Sequence, residues 1–94
     1  MELNQLSSLI IKAAINVHKE LGPGLLESVY QRCMVIDLEN IGLRVQSEVS
    51  VPIFYQDNKI HEDGFRIDLL VDDTIVVELK SVSKVFRIYI KSNC

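Results

Sequence analysis

Three charged residues in the second half of the sequence have the types and the spacing of a metal-assisted hydrolytic site. Asp68 precedes Glu78, and Lys80 follows two residues after Glu78. Proteins hold Mg²⁺ with one or two carboxylates, waters and a substrate phosphate. A lysine on the same face could orient or deprotonate a water, or hold a phosphate. The residues leave open a second interpretation, a solvated sheet face on which Arg66 and Lys80 neutralise the two acids.

These residues would lie on neighbouring strands, because apolar and polar residues alternate through the second half of the chain. We predict three strands in a meander, over Val45–Tyr55, Phe65–Val71 and Ile75–Leu79. A cluster of turn-forming residues, Gln56–Lys59, separates the first two strands. Pro52 has no amide proton, so it predicts an edge position or a bulge.

The loop between the last two predicted strands determines which residues face each other. Opposed residues of an antiparallel pair point to the same face, so the two apolar rows share one core only if odd positions pair with odd positions. A three-residue loop, Asp72–Thr74, meets this condition. Two carboxylates are then opposed, and a bound divalent cation would offset their repulsion. The predicted pairs are Val71 with Ile75, Asp68 with Glu78, and Arg66 with Lys80.

The first half of the chain reads as two amphipathic helices. Apolar residues at helical spacing predict one helix over Leu6–Leu21 and a second over Leu26–Ile41. Gly22-Pro23-Gly24 forms a rigid turn between them. Glu27 falls in the first turn of the second helix, where the helix dipole favours an acid by ~0.3–1 kcal/mol, so its role could be purely structural. Tyr30 reads as a core tyrosine with its hydroxyl at the surface.

Three segments of the chain resemble the motifs of the GxxExxY protein family. Gly24-Leu25-Leu26-Glu27-Ser28-Val29-Tyr30 fits the pattern that names the family, and residues 18–24 resemble its helix-to-helix turn. Phe65–Val71 and Val76–Lys80 resemble its two later motifs, in the same order and at the same spacing. The resemblance covers about residues 5–83.

The GxxExxY family is similar to the PD-(D/E)XK nuclease superfamily, whose core packs helices against a mixed sheet in an αβββαβ order. The resemblance implies that Asp68 and Glu78 are metal ligands for Mg²⁺ or Mn²⁺. It implies that Lys80 is the catalytic lysine, and that Glu27 is the helical acid that supports the metal or its waters.

The resemblance also implies two supporting residues and a fold. Tyr30 and Arg66 belong to the family's motifs. The expected fold is α/β with an α+β-like order, in which two N-terminal helices precede a three-stranded antiparallel meander. Such a chain would form an incomplete restriction-endonuclease-like αβββαβ core.

The C-terminal segment departs from the family pattern. The family would continue into a helix that carries a glutamine and at least one more core strand, whereas this sequence ends at Cys94 after a divergent basic stretch, residues 84–94. The apolar residues of 82–90 fit either a helix or a strand. We therefore expect a member shortened at its C-terminus, with an unfinished sheet edge through which copies of the chain could form a homo-oligomer.

Length and composition point to one globular domain over residues 1–94. Hydrophobic residues make up 48% of the chain, and the net charge of −3 argues against a protein that coats nucleic acid non-specifically. Residues 80–94 nevertheless hold four basic residues and no acid. Cys33 and Cys94 lack the spacing of a zinc site or a disulfide framework. We expect a soluble, cytoplasmic protein with neither a signal peptide nor a membrane-spanning segment.

Three hypotheses about function remain after the sequence analysis. The leading one is a metal-dependent nuclease that hydrolyses phosphodiester bonds in nucleic acid. The second is a catalytically silent interaction module that keeps the nuclease fold and binds a protein or nucleic-acid partner. The third is a fragment without a stable function of its own. Nothing in the sequence distinguishes DNA from RNA as the substrate.

Overall fold

The order of the elements is two helices followed by four strands. The computed structural model describes residues 2–80 and 85–90, with side chains for residues 2–79. The helices are α1 (Leu3–Leu21) and α2 (Glu27–Asn40). The strands are β1 (Val45–Tyr55), β2 (Asn58–Val71), β3 (Ile75–Lys80) and β4 (Val85–Ile90).

The two helices form one layer over one face of the sheet. Their buried residues recur at the helical spacing read from the sequence, so each helix turns one apolar stripe inward. Across the outer side of the layer, the Asn16 amide nitrogen donates a hydrogen bond to the Asp37 carboxylate at 3.3 Å. The buried helix residues are Leu6, Ile10, Ala13, Ala14 and Val17 of α1, and Tyr30, Met34 and Leu38 of α2.

The sheet is antiparallel, in the order β1-β2-β3-β4. Toward the ends of β2 and β3 that meet at their loop, the odd-numbered residues pack with the helices and are almost completely buried, as in Leu69, Val71, Ile75 and Val77. Full burial of each such side chain contributes roughly 1.5–3 kcal/mol. The expected fold, two helices before an antiparallel meander, is therefore confirmed.

The loop between β2 and β3 is the predicted three-residue loop. Val71 pairs with Ile75, and the pairing continues to Leu69 with Val77. Asp72 and Asp73 both adopt positive φ, of 50° and 53°, which lets the chain reverse within three residues. The Asp72 carboxylate also accepts a hydrogen bond from the Arg44 amide at 2.8 Å, and this bond ties the loop to the start of β1.

The segment that fits either a helix or a strand contains the fourth strand. β4 pairs with β3 along its whole length, from Ile75 with Ile90 to Lys80 with Val85. The meander thus has four strands, one more than the three that the sequence predicted. In the part of the chain that the structure describes, β1 and β4 are the edges of the sheet.

The outer half of the β1–β2 hairpin extends beyond the helix layer and is exposed. The register shifts on both sides of Ile53, so Pro52 lies at a bulge, as predicted. A Cβ atom on Gly64 would lie 2.0 Å from Cγ1 of Ile53, so glycine permits the close approach of the two strands there. Neither helix of the described residues is long and apolar enough to cross a membrane.

Candidate functional site

The candidate site is centred where β2 and β3 separate. Their ladder ends at Leu69 with Val77, while β3 continues alongside β4. Beyond that point the Leu79 amide donates a hydrogen bond to Oδ2 of Asp68, at 2.9 Å. A side chain of β2 therefore takes the place of a strand carbonyl. We call this feature, formed by Asp68, Glu78 and Leu79, the fork.

The fork corrects part of the predicted register. Asp68 with Glu78 and Arg66 with Lys80 are not among the pairs of the ladder between described residues. The sequence argument continued a regular ladder past Leu69, but the Asp68 carboxylate inserts there and binds the β3 backbone. Asp68 still lies next to the β3 segment that carries Glu78, so the two carboxylates stay on neighbouring strands.

The fork suits a divalent cation by the chemistry of its donors. Asp68 and Glu78 are each half-buried, and carboxylate oxygens are the ligands that Mg²⁺ takes, with waters and substrate phosphate completing its shell. The hydrogen bond from Leu79 fixes the orientation of the Asp68 carboxylate. No three His, Cys, Asp or Glu side chains among those described lie together as a metal-binding group. The residues present fit a site of two carboxylates.

Lys80 is the last residue of β3 and pairs with Val85 of β4. The alternation of side chains along a strand predicted Lys80 on the same face as Glu78, and this stays a prediction. Its side chain lies outside the described part of the structure. Glu78 itself pairs with Arg87 of β4.

Glu27 is the first residue of α2 and is exposed. Gln31 follows one turn later on the same face of the helix. The Gln31 amide nitrogen donates a hydrogen bond to Oε1 of Glu48 in β1, at 3.2 Å. This bond ties the face of α2 that carries Glu27 to β1, an edge strand of the described sheet.

Tyr30 holds the turn between the helices. Its side chain is buried, and its hydroxyl donates to the Gly22 carbonyl and accepts from the Leu25 amide at 3.2 Å. Its ring meets that of His18 edge-on, with the ring centres 5.3 Å apart. The hydroxyl, expected at the surface, instead closes the turn that leads into Glu27. In this structure Tyr30 supports the site through the backbone.

Arg66 contacts Glu48, whereas the sequence predicted that Arg66 would face Lys80. Nη1 of Arg66 donates to Oε2 of Glu48 at 2.9 Å. The hydrogen bonds from Arg66 and from Gln31 lower the pKa of Glu48. The same bond to Glu48 raises the pKa of Arg66. Gln31, Glu48 and Arg66 together form what we call the clamp.

Sequence reasoning missed Glu48. The register could have found it, because Ser47 pairs with Leu69 and Val49 with Ile67, which sets Glu48 across from Asp68. Glu48 also has an unusual backbone φ of 56°, which the sequence does not reveal. Without such information, a charged residue among the polar positions of an alternating strand is read as an ordinary solvent-exposed residue.

Comparison with known proteins gives one match. The family model described as the PD-(D/E)XK nuclease superfamily matches residues 4–91. No curated protein and no solved structure matches the chain. The matched range covers α1 except its first residue, all of α2, the fork and β4.

Proposed function

Because the chain belongs to the PD-(D/E)XK nuclease superfamily, we propose that it is a metal-dependent nuclease that hydrolyses phosphodiester bonds in nucleic acid. The observation that carries the proposal is the fork, where Asp68 is bonded to the β3 backbone one residue after Glu78. The proposal is also supported by the position of Asp68 and Glu78 on neighbouring strands where the ladder ends, and by the match to a nuclease superfamily.

Each residue of the site has a distinct role in the proposed reaction. Asp68 and Glu78 would hold Mg²⁺ or Mn²⁺, which when bound would activate a water and stabilise charge on the phosphate. Lys80 would orient that water or neutralise a phosphate oxygen. The water oxygen would lose a proton to solvent and form the new bond to phosphorus, while the bond to the leaving oxygen breaks and that oxygen takes up a proton from solvent. Glu27 would support the ion or its waters from α2.

The finer assignment to the GxxExxY group is also a proposal, and the helix-to-helix turn supports it. Gly24 adopts a φ of 89°, a conformation that side chains with a Cβ rarely take. Tyr30 ties its hydroxyl to both sides of that turn. Glu27 begins α2 directly afterwards. The three residues that name the motif thus act on one local structure, which presents an acid at a helix start.

The test is calorimetric titration with Mn²⁺, followed by a nuclease assay on DNA and RNA. Glu78→Gln preserves the side-chain shape and removes a proposed ligand charge, so we expect metal affinity to fall by at least about tenfold and cleavage to be lost. Lys80→Ala should lower cleavage by roughly 10²–10⁴-fold with little change in metal affinity. Glu62→Gln, at the far end of the hairpin, is the control. A folded wild-type protein that binds no Mn²⁺ would refute the proposal.

A silent interaction module is the alternative, and the exposed surface of the β1–β2 hairpin favours it. Phe54, Tyr55, Ile60 and Phe65 are each more than half exposed. Neighbouring exposed apolar side chains often mark a binding surface. If a partner protein or nucleic acid binds there while Glu78→Gln has no effect on the protein's activity, the module hypothesis takes precedence.

Self-association and location complete the proposal. β4 is an edge strand of the described sheet, and edge strands offer unpaired backbone groups to a second chain, so we propose a homo-oligomer formed through β4. Light scattering at several protein concentrations tests this. The free thiol of Cys33 supports placing the protein in the reducing cytoplasm.

A further inference from the structure

Glu48 has a backbone conformation that its position in a strand does not explain. It adopts a φ of 56°, in the left-handed region that residues with a Cβ atom disfavour. The pairs on either side, Ser47 with Leu69 and Val49 with Ile67, keep one register, so no residue is inserted there. Such conformations persist where surrounding contacts hold them, and they concentrate at functional sites.

The contacts of Glu48 join two separate layers of the fold. Oε1 accepts a hydrogen bond from Gln31 of α2, and Oε2 accepts one from Arg66 of β2. Both oxygens of the carboxylate therefore have a donor, and the two donors belong to the helix layer and to the sheet. The clamp is half-exposed, so hydrophobic burial does not account for its geometry.

We propose that Glu48 is a positioning residue that sets the helical acid, Glu27, relative to Asp68. Gln31 lies one helical turn after Glu27, and Arg66 lies two residues before Asp68 on the same face of β2. The clamp connects these two neighbours directly. This inference rests on the proposed function, because the placement of Glu27 matters only if it serves the same site as Asp68.

The isosteric variant Glu48→Gln tests the clamp without removing side-chain volume. A carboxylate offers an acceptor on each side, whereas a glutamine amide turns a nitrogen donor toward one of the two donors, Gln31 or Arg66. One contact of the clamp must then be lost. Glu62→Gln is the matched control. Glu62 also forms an exposed ion pair, with Lys59, but both residues belong to the same strand.

The first measurement needs no metal. In nuclear magnetic resonance spectra, Glu48→Gln should shift the side-chain amide signal of Gln31 and speed hydrogen exchange of the Tyr30 and Gln31 backbone amides several-fold. Glu62→Gln should leave both unchanged. If Glu48→Gln also leaves both unchanged, Glu48 does not hold α2 and the inference is overturned, whatever the protein's activity.

The second measurement is a double-mutant cycle on Mn²⁺ affinity with Glu27→Gln, Glu48→Gln and the double variant. Residues that orient metal ligands are worth about 10–100-fold in affinity, and for an exposed clamp we expect about tenfold. The double variant should bind as weakly as Glu27→Gln alone, because both changes remove the same contribution. Losses that multiply would overturn the inference. A wild type that binds no Mn²⁺ refutes the proposed function instead, and the metal-free measurement still decides the clamp.

Discussion

The hydroxyl of Tyr30 provides the most direct test of how this fold places its helical acid. Tyr30→Phe removes one oxygen and leaves the ring that packs against His18. Two hydrogen bonds are lost, one to the Gly22 carbonyl and one from the Leu25 amide. A net hydrogen bond contributes about 0.5–1.5 kcal/mol, and a buried group left unpaired costs more.

The position of the turn sets where in that range the effect falls. Gly22 is half-buried and Leu25 is exposed, so water can replace part of what the hydroxyl provides. We therefore expect a loss of about 1–2 kcal/mol in the free energy of unfolding. For a domain of this size that corresponds to a fall of roughly 4–16 °C in Tm. Mn²⁺ affinity should also weaken, because the turn leads directly into Glu27.

Thermal and urea unfolding of Tyr30→Phe and Tyr55→Phe would measure the effect. Tyr55 is 65% exposed, so the same chemical change there should alter stability by less than about 0.5 kcal/mol. Equal stability of the two variants would refute the assignment of the Tyr30 hydroxyl to the turn. A large loss of Mn²⁺ affinity with no loss of stability would show instead that the hydroxyl acts at the metal.

Three further predictions follow from particular contacts. Gly64→Ala places a Cβ atom against Ile53 and should cost about 1–3 kcal/mol; recovery in a Gly64→Ala, Ile53→Ala double variant would confirm the clash, and no recovery would contradict it. Asp68→Ala removes the acceptor of the Leu79 amide and should cost about 1.5–3 kcal/mol, whereas Asp68→Asn keeps an acceptor and should lose metal binding with a smaller loss of stability; equal losses in urea unfolding would contradict the fork. The hydrogen bond from Arg66 lowers the pKa of Glu48 below the ordinary value of a glutamate, so its stabilising effect should be present at pH values above that ordinary pKa and disappear as the pH falls through the lowered pKa; a stability difference between wild type and Glu48→Gln that persists unchanged to pH 2 would contradict this.

The helices and the β2–β3 loop could be predicted because their signals are local and redundant. For the helices, the helical spacing and the two glycines of the turn, which both adopt positive φ, point to the same boundaries. For the loop, the apolar rows of β2 and β3 share one face only if odd positions pair with odd positions. The parity argument is strong because a one-residue slip would turn a whole row of side chains from the core to solvent. It correctly gave the loop Asp72–Thr74.

The strand β4 could not be predicted from its own residues. Its apolar positions satisfy both a helical and an alternating pattern, so local periodicity does not decide between them. The decision comes from β3, which offers a free strand edge for the whole of Val85–Ile90. Pairing with the preceding strand decides the conformation where the local pattern fits both, as is usual for short apolar stretches.

The site residues stay a prediction, and the structure corrects the geometry that was predicted for them. The choice of Asp68 and Glu78 rested on a regular ladder, and the structure ends that ladder one pair earlier. The assumption of a regular register does not predict that the Asp68 carboxylate replaces a backbone carbonyl as the acceptor for the Leu79 amide. The role of Glu48 was hidden for a related reason, because its backbone conformation and its helix contact are both tertiary.

The fork explains why a ladder should end beside two acids. A continuous ladder would hold Asp68 and Glu78 directly opposite each other, where like charges destabilise a sheet. When the strands separate, the Asp68 carboxylate instead receives a backbone N–H donor, and its charge is partly compensated inside the sheet. Under the proposed function, a cation and a phosphate would bind at this end of the ladder. The feature that stabilises the carboxylate in the protein alone is thus the feature that would admit its ligands.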